Sequence, residues 1–223
     1  MKKKVRNNKI ILASILALGC LTAASVGFSS WVIAAQNTNA TSNVDVTVAD
    51  VEDHRFYVTA FSDSIIKLGP NKKGTYISCS GGVSEEALDF NFKLTFTAKE
   101  GSSAAFNFTS LGDQSFDIKF SFTNIKTLNI NDTEKEYIKF PSETTIGTIS
   151  KSGFTASSGV TASQSSNVIT YNGELAWGSY FGGKNPSDLE DSNKVDSYIT
   201  GLNHLKTALD NKKLEITVNI EKK

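Results

Sequence analysis

The side chains able to do chemistry are few: two histidines, His54 in EDHRF and His204 in LNHLK, and two cysteines, Cys20 and Cys79. Catalytic zinc takes about three protein ligands and keeps one position open. Neither histidine belongs to a His-Glu-x-x-His helix, so both read as surface or internally satisfied residues. Gly-x-Ser-x-Gly is missing, and GSYFG at 178–182 has its serine in the wrong place for a nucleophile elbow. Cys79, in YISCSGG, has no His partner motif and reads as a buried, inert thiol rather than a nucleophile. In NPSDLEDSNKVD, Asp188, Glu190, Asp191, Asn193 and Asp196 offer the oxygen ligands that calcium prefers. Their spacing matches no calcium loop, and acidic residues ahead of a helix also favour its positive end. No enzyme activity, metal or cofactor is expected.

Two stretches remain as candidates for binding. ELAWGSYFGGKNP gathers Trp177, Tyr180 and Phe181 among glycines. Exposed aromatics of this kind stack on sugars or anchor interfaces; the same residues could equally fill the core beside a tight turn. NVDVTVADV sets Val44, Val46 and Val48 on one face of a strand and Asp45, Thr47 and Ala49 on the other. Such a strand can complete its own sheet or add to the sheet of a neighbour.

Further upstream, Lys2, Lys3, Lys4, Arg6 and Lys9 precede an uncharged run from Ile10 to Ala35, and no acidic residue occurs before Asp45. This is the charge layout of a bacterial export signal. Small residues at 23–27 interrupt the run and favour a cut near Ala35 over retention as a membrane anchor, which would be the chain's one contact with a membrane. A lipobox at Cys20 would need a small residue where Leu18 stands, and a pilin cut at Gly27 would need the apolar segment after it. The organisation expected is therefore an export signal over 1–35, a flexible polar leader over 36–43 and one domain over 44–223.

Loss of the signal removes five of the 23 basic residues and leaves 18 against 23 acidic. The excess of acid, with no cluster of Lys and Arg, excludes a nucleic-acid partner. Only Cys79 would remain, so no internal disulfide is available. The domain must then rely on a hydrophobic core, for which the 188 residues after position 35 suffice.

The elements that build this core are strands. Leu88, Phe90, Phe92, Leu94 and Phe96 alternate strictly with polar residues; Phe116, Ile118, Phe120 and Phe122 do the same, as do Leu214, Ile216, Val218 and Ile220. Sheets with one dry face must stack on something. One helix is in sight, near Lys194 to Asp210, with Val195, Tyr198, Ile199, Leu202, Leu205 and Leu209 on one stripe. Asn185-Pro186 breaks the chain ahead of it and Asn211 ends it. Ser142 to Ser166, rich in Ser, Thr and Gly but punctuated by Ile146, Ile149, Phe154 and Val160, reads as hairpins of short exposed strands with mobile tips. The fold expected is all-β, a β-sandwich with one α-helix packed on it before the last strand.

The lysine-rich start, ALGCLTAASVGFSSWVIAA, the polar spacer and NVDVTVADVED together resemble the opening of the TasA/camelysin family of secreted bacterial proteins. The resemblance covers about the first 50 residues. It implies a jelly-roll-like sandwich that assembles into extracellular fibres, the N-terminal segment of one subunit serving as a strand in the next. Some members carry a metallopeptidase label, which no His-Glu-x-x-His supports here. Two classes of function follow: a secreted cell-surface or matrix protein that associates with itself, or a monomeric surface module that recognises a glycan or host ligand.

Overall fold

The computed structural model describes residues 40–49, 51, 53, 55–68, 88–130, 135–186, 191–209 and 212–223. The expected export signal, residues 36–39 of the leader, His54, Cys79, Asp188, Glu190 and Asn211 lie outside the described residues.

The sandwich is built as the alternation demands. β1 (Ala40–Val48), β2 (Tyr57–Phe61), β3 (Ile65–Leu68), β4 (Asp89–Thr97) and β5 (Phe116–Phe122) come first. A one-turn helix α1 (Ile125–Leu128) and the two-residue β6 (Ile138–Lys139) follow, then β7 (Thr144–Ser150), β8 (Gly153–Ala156), β9 (Thr161–Ser165) and β10 (Val168–Glu174). The two-residue β11 (Ala176–Trp177), the long helix α2 (Val195–Leu209) and β12 (Lys213–Lys222) complete the chain. One sheet has the order β3-β1-β12-β5-β7-β8, the other β2-β4-β10-β9, and β6 pairs with β11.

The facing sides hold the predicted residues. Phe90, Phe92, Leu94 and Phe96 of β4 meet Ile118 and Phe120 of β5 and Leu214, Ile216 and Val218 of β12 in one buried cluster. The rings meet mostly edge-on or tilted, Phe92 against Phe120 at 5.6 Å and Phe90 against Phe120 at 6.0 Å, the arrangement that a ring quadrupole favours.

The sheets are also joined along both sides. β2 and β3 are consecutive, one in each sheet, and the corner between them is pinned to β4: the Ser62 and Ser64 hydroxyls donate to the Asn91 carbonyl at 2.7 and 3.1 Å, and the Asn91 amide donates to Ser64 Oγ at 2.7 Å. On the far side β8 and β9 make the same change of sheet, and Gln164 Oε1 of β9 accepts from the Phe154 amide of β8 at 2.6 Å.

Three details depart from the sequence reading. β1 starts at Ala40, so residues 40–43 of the expected leader belong to a strand. Ile146 and Ile149 are buried, so β7 is a core strand rather than an exposed one. It forms a hairpin with β8, whereas β9 crosses sheets and pairs with β10. The helix follows the expectation closely, with Tyr198, Leu202, Leu205 and Leu209 buried and Val195 and Ile199 against the core.

Candidate functional site

The aromatic cluster is built by the short β6–β11 ladder. Trp177 stands opposite Ile138, and the Gly178 amide donates to the Tyr137 carbonyl at 2.8 Å. Gly178 is required here because a Cβ would lie 2.1 Å from the Glu136 carbonyl oxygen. The chain then makes a 3-10 turn over Ser179–Phe181, ended by Gly182 with φ 67°, a left-handed conformation that glycine adopts without cost. The turn carries Phe181 inward: its ring meets Trp177 edge-on at 5.3 Å and Tyr198 of α2 at 5.1 Å.

Trp177 is 5% exposed and Phe181 2%. The binding-edge reading is therefore corrected for Trp177 and Phe181, whose rings are turned into the protein and offer no stacking surface. Tyr180 alone is half-buried, and it too is engaged, its hydroxyl donating to the Ser197 carbonyl at 2.9 Å and its ring 4.5 Å from Tyr137. The cluster is the seat of α2. Gly201 makes that seat possible, since a Cβ there would come within 2.6 Å of the Tyr180 ring. Burial raises the Tyr198 hydroxyl above its ordinary pKa, as it does for Tyr171 in the core.

His204 sits at the margin of the cluster with Nε2 2.8 Å from the Asn129 carbonyl, so the ring is engaged in the fold, with Nε2–H as donor. The described part of the acidic stretch caps itself, Asp191 Oδ1 accepting the Asn193 amide at 3.0 Å. Among the described residues no group of three or more His, Cys, Asp or Glu is placed to hold a metal, and no helix is long and apolar enough to cross a membrane.

The second candidate is β1. From Ala40 to Asn43 it pairs antiparallel with β3, and from Asn43 to Val48 it runs parallel to β12, with Val44 opposite Leu214 and Val48 opposite Val218. Val44 is buried; Val46 and Val48 are half-buried against the core, while Asp45 and Thr47 face solvent. β1 thus fills a slot between β12 and β3. Asp45 accepts from Lys213 Nζ at 2.7 Å across the parallel ladder.

Among the described residues of the link from β1 to β2, the Ala49 amide donates to the Val218 carbonyl at 2.9 Å, Val51 packs against the core, and Arg55 ties the end nearest β2. Arg55 grips the Asp53 carboxylate, donates from Nη1 to the Leu111 carbonyl at 3.3 Å, and reaches the Gln114 side-chain oxygen. Hydrogen bonding by this guanidinium holds the Asp53 carboxyl below its ordinary pKa. Phe56, next along, is buried among Phe96, Phe106 and Phe116 at 5.8, 5.3 and 5.5 Å. Phe56 is the first fully buried side chain after β1 among the described residues.

These features define a two-sheet β-sandwich with a helix seated on an aromatic cluster. No family model, curated protein or solved structure matches the chain.

Proposed function

We propose that the chain is a secreted cell-surface or extracellular-matrix structural protein whose subunits assemble into fibres by exchanging the N-terminal strand. The observation that carries this reading is the placement of β1. It is the first strand among the described residues, it is seated between β3 and β12, and the next firmly buried residue among those described is Phe56. The parallel β1–β12 ladder requires no turn between the partners. The same pairing is therefore available to a β1 supplied by another copy. Filling the slot with a neighbour's strand keeps every ladder bond and every buried valine while linking two subunits, which is the economy of strand addition.

The export signal expected upstream fits the same reading, since a matrix protein must leave the cell before it assembles. Electron microscopy of purified protein starting at Gln36, beside protein starting at Glu52, tests the proposal. The longer form is expected to give fibres. The shorter form is expected to stay folded and monomeric, and to bind a peptide of residues 36–51. An unfolded shorter form, or a longer form that stays dispersed at every concentration, would show that β1 belongs only to its own domain.

A further inference from the structure

The two outer faces of the sandwich carry different chemistry. On the six-stranded sheet and at its C-terminal end, three lysines are paired with acids: Lys119 with Glu221 at 2.7 Å and Glu143 at 3.7 Å, Lys213 with Asp45 at 2.7 Å, Lys223 with Asp117 at 3.5 Å. The four-stranded sheet is different. Its register sets Phe61, Lys93, Thr170 and Ser163 in one row across all four strands, with Asn91 opposite Asn172 in the adjoining row. The buried positions of β4 and β10 fall on the alternate residues, so these rows stand on the solvent side. With strands about 4.8 Å apart the row is roughly 14 Å wide.

Phe61 is 61% exposed, the most exposed large apolar residue described. The corner that follows it is tied to the Asn91 backbone by Ser62 and Ser64, which fixes the strand end carrying the ring. Around it, the side chains of Lys93, Asn91, Asn172 and Thr170 make no hydrogen bond or ion pair with any described residue. Donors and acceptors without a described partner thus stand on the solvent side of the sheet beside one exposed ring on a backbone that is tied to β4.

We propose that this face binds a neutral polysaccharide, one sugar ring stacking on Phe61 while its hydroxyls exchange hydrogen bonds with Lys93, Asn91, Asn172 and Thr170. A sugar presents an apolar C–H face rimmed by groups that both donate and accept, which matches an aromatic flanked by amides, a hydroxyl and an ammonium. A protein partner would want an apolar, charge-depleted centre, which a single ring among polar groups does not make. Nucleic acid or an acidic polymer would want clustered cations, and Lys93 is the one cation of these two rows. This site is separate from the β1 slot and goes beyond the assembly reading.

Affinity electrophoresis of the full chain through gels containing soluble β-glucan, xylan or galactomannan, with alginate as the acidic comparison, tests the site. Retardation by at least one neutral polysaccharide is expected. Phe61→Ala should weaken it about tenfold, the loss of roughly 1.4 kcal/mol of contact, and Asn91→Ala should weaken it by a smaller factor. Lys119→Ala, on the outer face of the six-stranded sheet and away from the β1 slot, should behave as wild type. Phe61→Ala leaves the core untouched, and an unchanged melting temperature verifies that the variant is folded. No retardation in any neutral gel, retardation by alginate alone, or wild-type binding by Phe61→Ala would each overturn the proposal. Retardation is read relative to each protein's mobility in a gel without polysaccharide, which separates sugar binding from assembly.

Discussion

At the scale of single residues, alternation in β4 makes the sharpest prediction. Phe92 is fully buried and touches Phe120 and Tyr171, while Thr95 on the same strand faces outward. Phe92→Ala should cost about 3–5 kcal/mol, because a void opens between two sheets that cannot close around it. Thr95→Ala should change stability by about 0.5 kcal/mol or less. Equal losses in a denaturant melt would contradict the assigned faces. Gly178 gives a second test. Its φ of −82° suits any residue, so Gly178→Ala probes the collision with the Glu136 carbonyl alone. Backbone cannot rotate aside, and a loss of about 1–3 kcal/mol is expected by thermal melting. This difference between the two residues also marks what a sequence discloses. The period of two in LDFNFKLTFTA says which side chains are inside because every strand obeys it. AWGSYFGG follows no period, and composition alone cannot distinguish a displayed aromatic from a buried one. Only the 3-10 turn beyond Gly178, which sends Phe181 toward α2, decides it.

At the scale of elements, the segment between β1 and β2 responds to acid. The Asp53 carboxyl is held below its ordinary 3.8 chiefly by the Arg55 side chain, with partial burial opposing. A depressed folded pKa means that the ion pair contributes fully above the unfolded value and that its contribution is lost as pH falls through the folded one. Asp53→Asn should therefore melt below wild type at pH 6, and the gap should close on acidification below about pH 4. A gap that persists unchanged at about pH 2 would assign the effect to something other than ionisation. The elements themselves divide by how local their signals are. α2, β4, β5 and β12 carry enough periodic residues to be read alone. β2 and β3 are five and four residues long and share one corner; the sheet each joins is set by Ser62 and Ser64 bonding to Asn91, 29 and 27 residues away in sequence. Such pairing leaves no pattern in the segment itself. The start of β1 at Ala40 is hidden for the same reason, since Ala40 to Asn43 are strand by virtue of β3.

At the scale of the whole molecule, the question is whether β1 is a fixed part of the sandwich or a movable one, and its neighbours make a direct test possible. Thr47 and Thr217 are partners across the parallel β1–β12 ladder, and both lie outside the buried cluster. Paired strands stand about 4.8 Å apart, inside the range of Cα separations that a disulfide spans. Thr47→Cys with Thr217→Cys, in a Cys79→Ser background, should lock β1 into its own domain when oxidised. The locked protein should be more resistant to denaturant, because the cross-link ties the first strand to the last and restricts the unfolded chain. If subunits are joined by exchanged strands, oxidation before assembly should leave monomers by light scattering, and reductant should restore fibres. Oxidation after assembly should instead join neighbouring subunits into covalent ladders on a non-reducing gel, since the β12 cysteine that each β1 then meets belongs to another copy. Locked monomers that assemble as well as reduced ones would place the contacts elsewhere on the surface, with the faces of the two sheets, rather than the slot between β3 and β12, as the next ground to search.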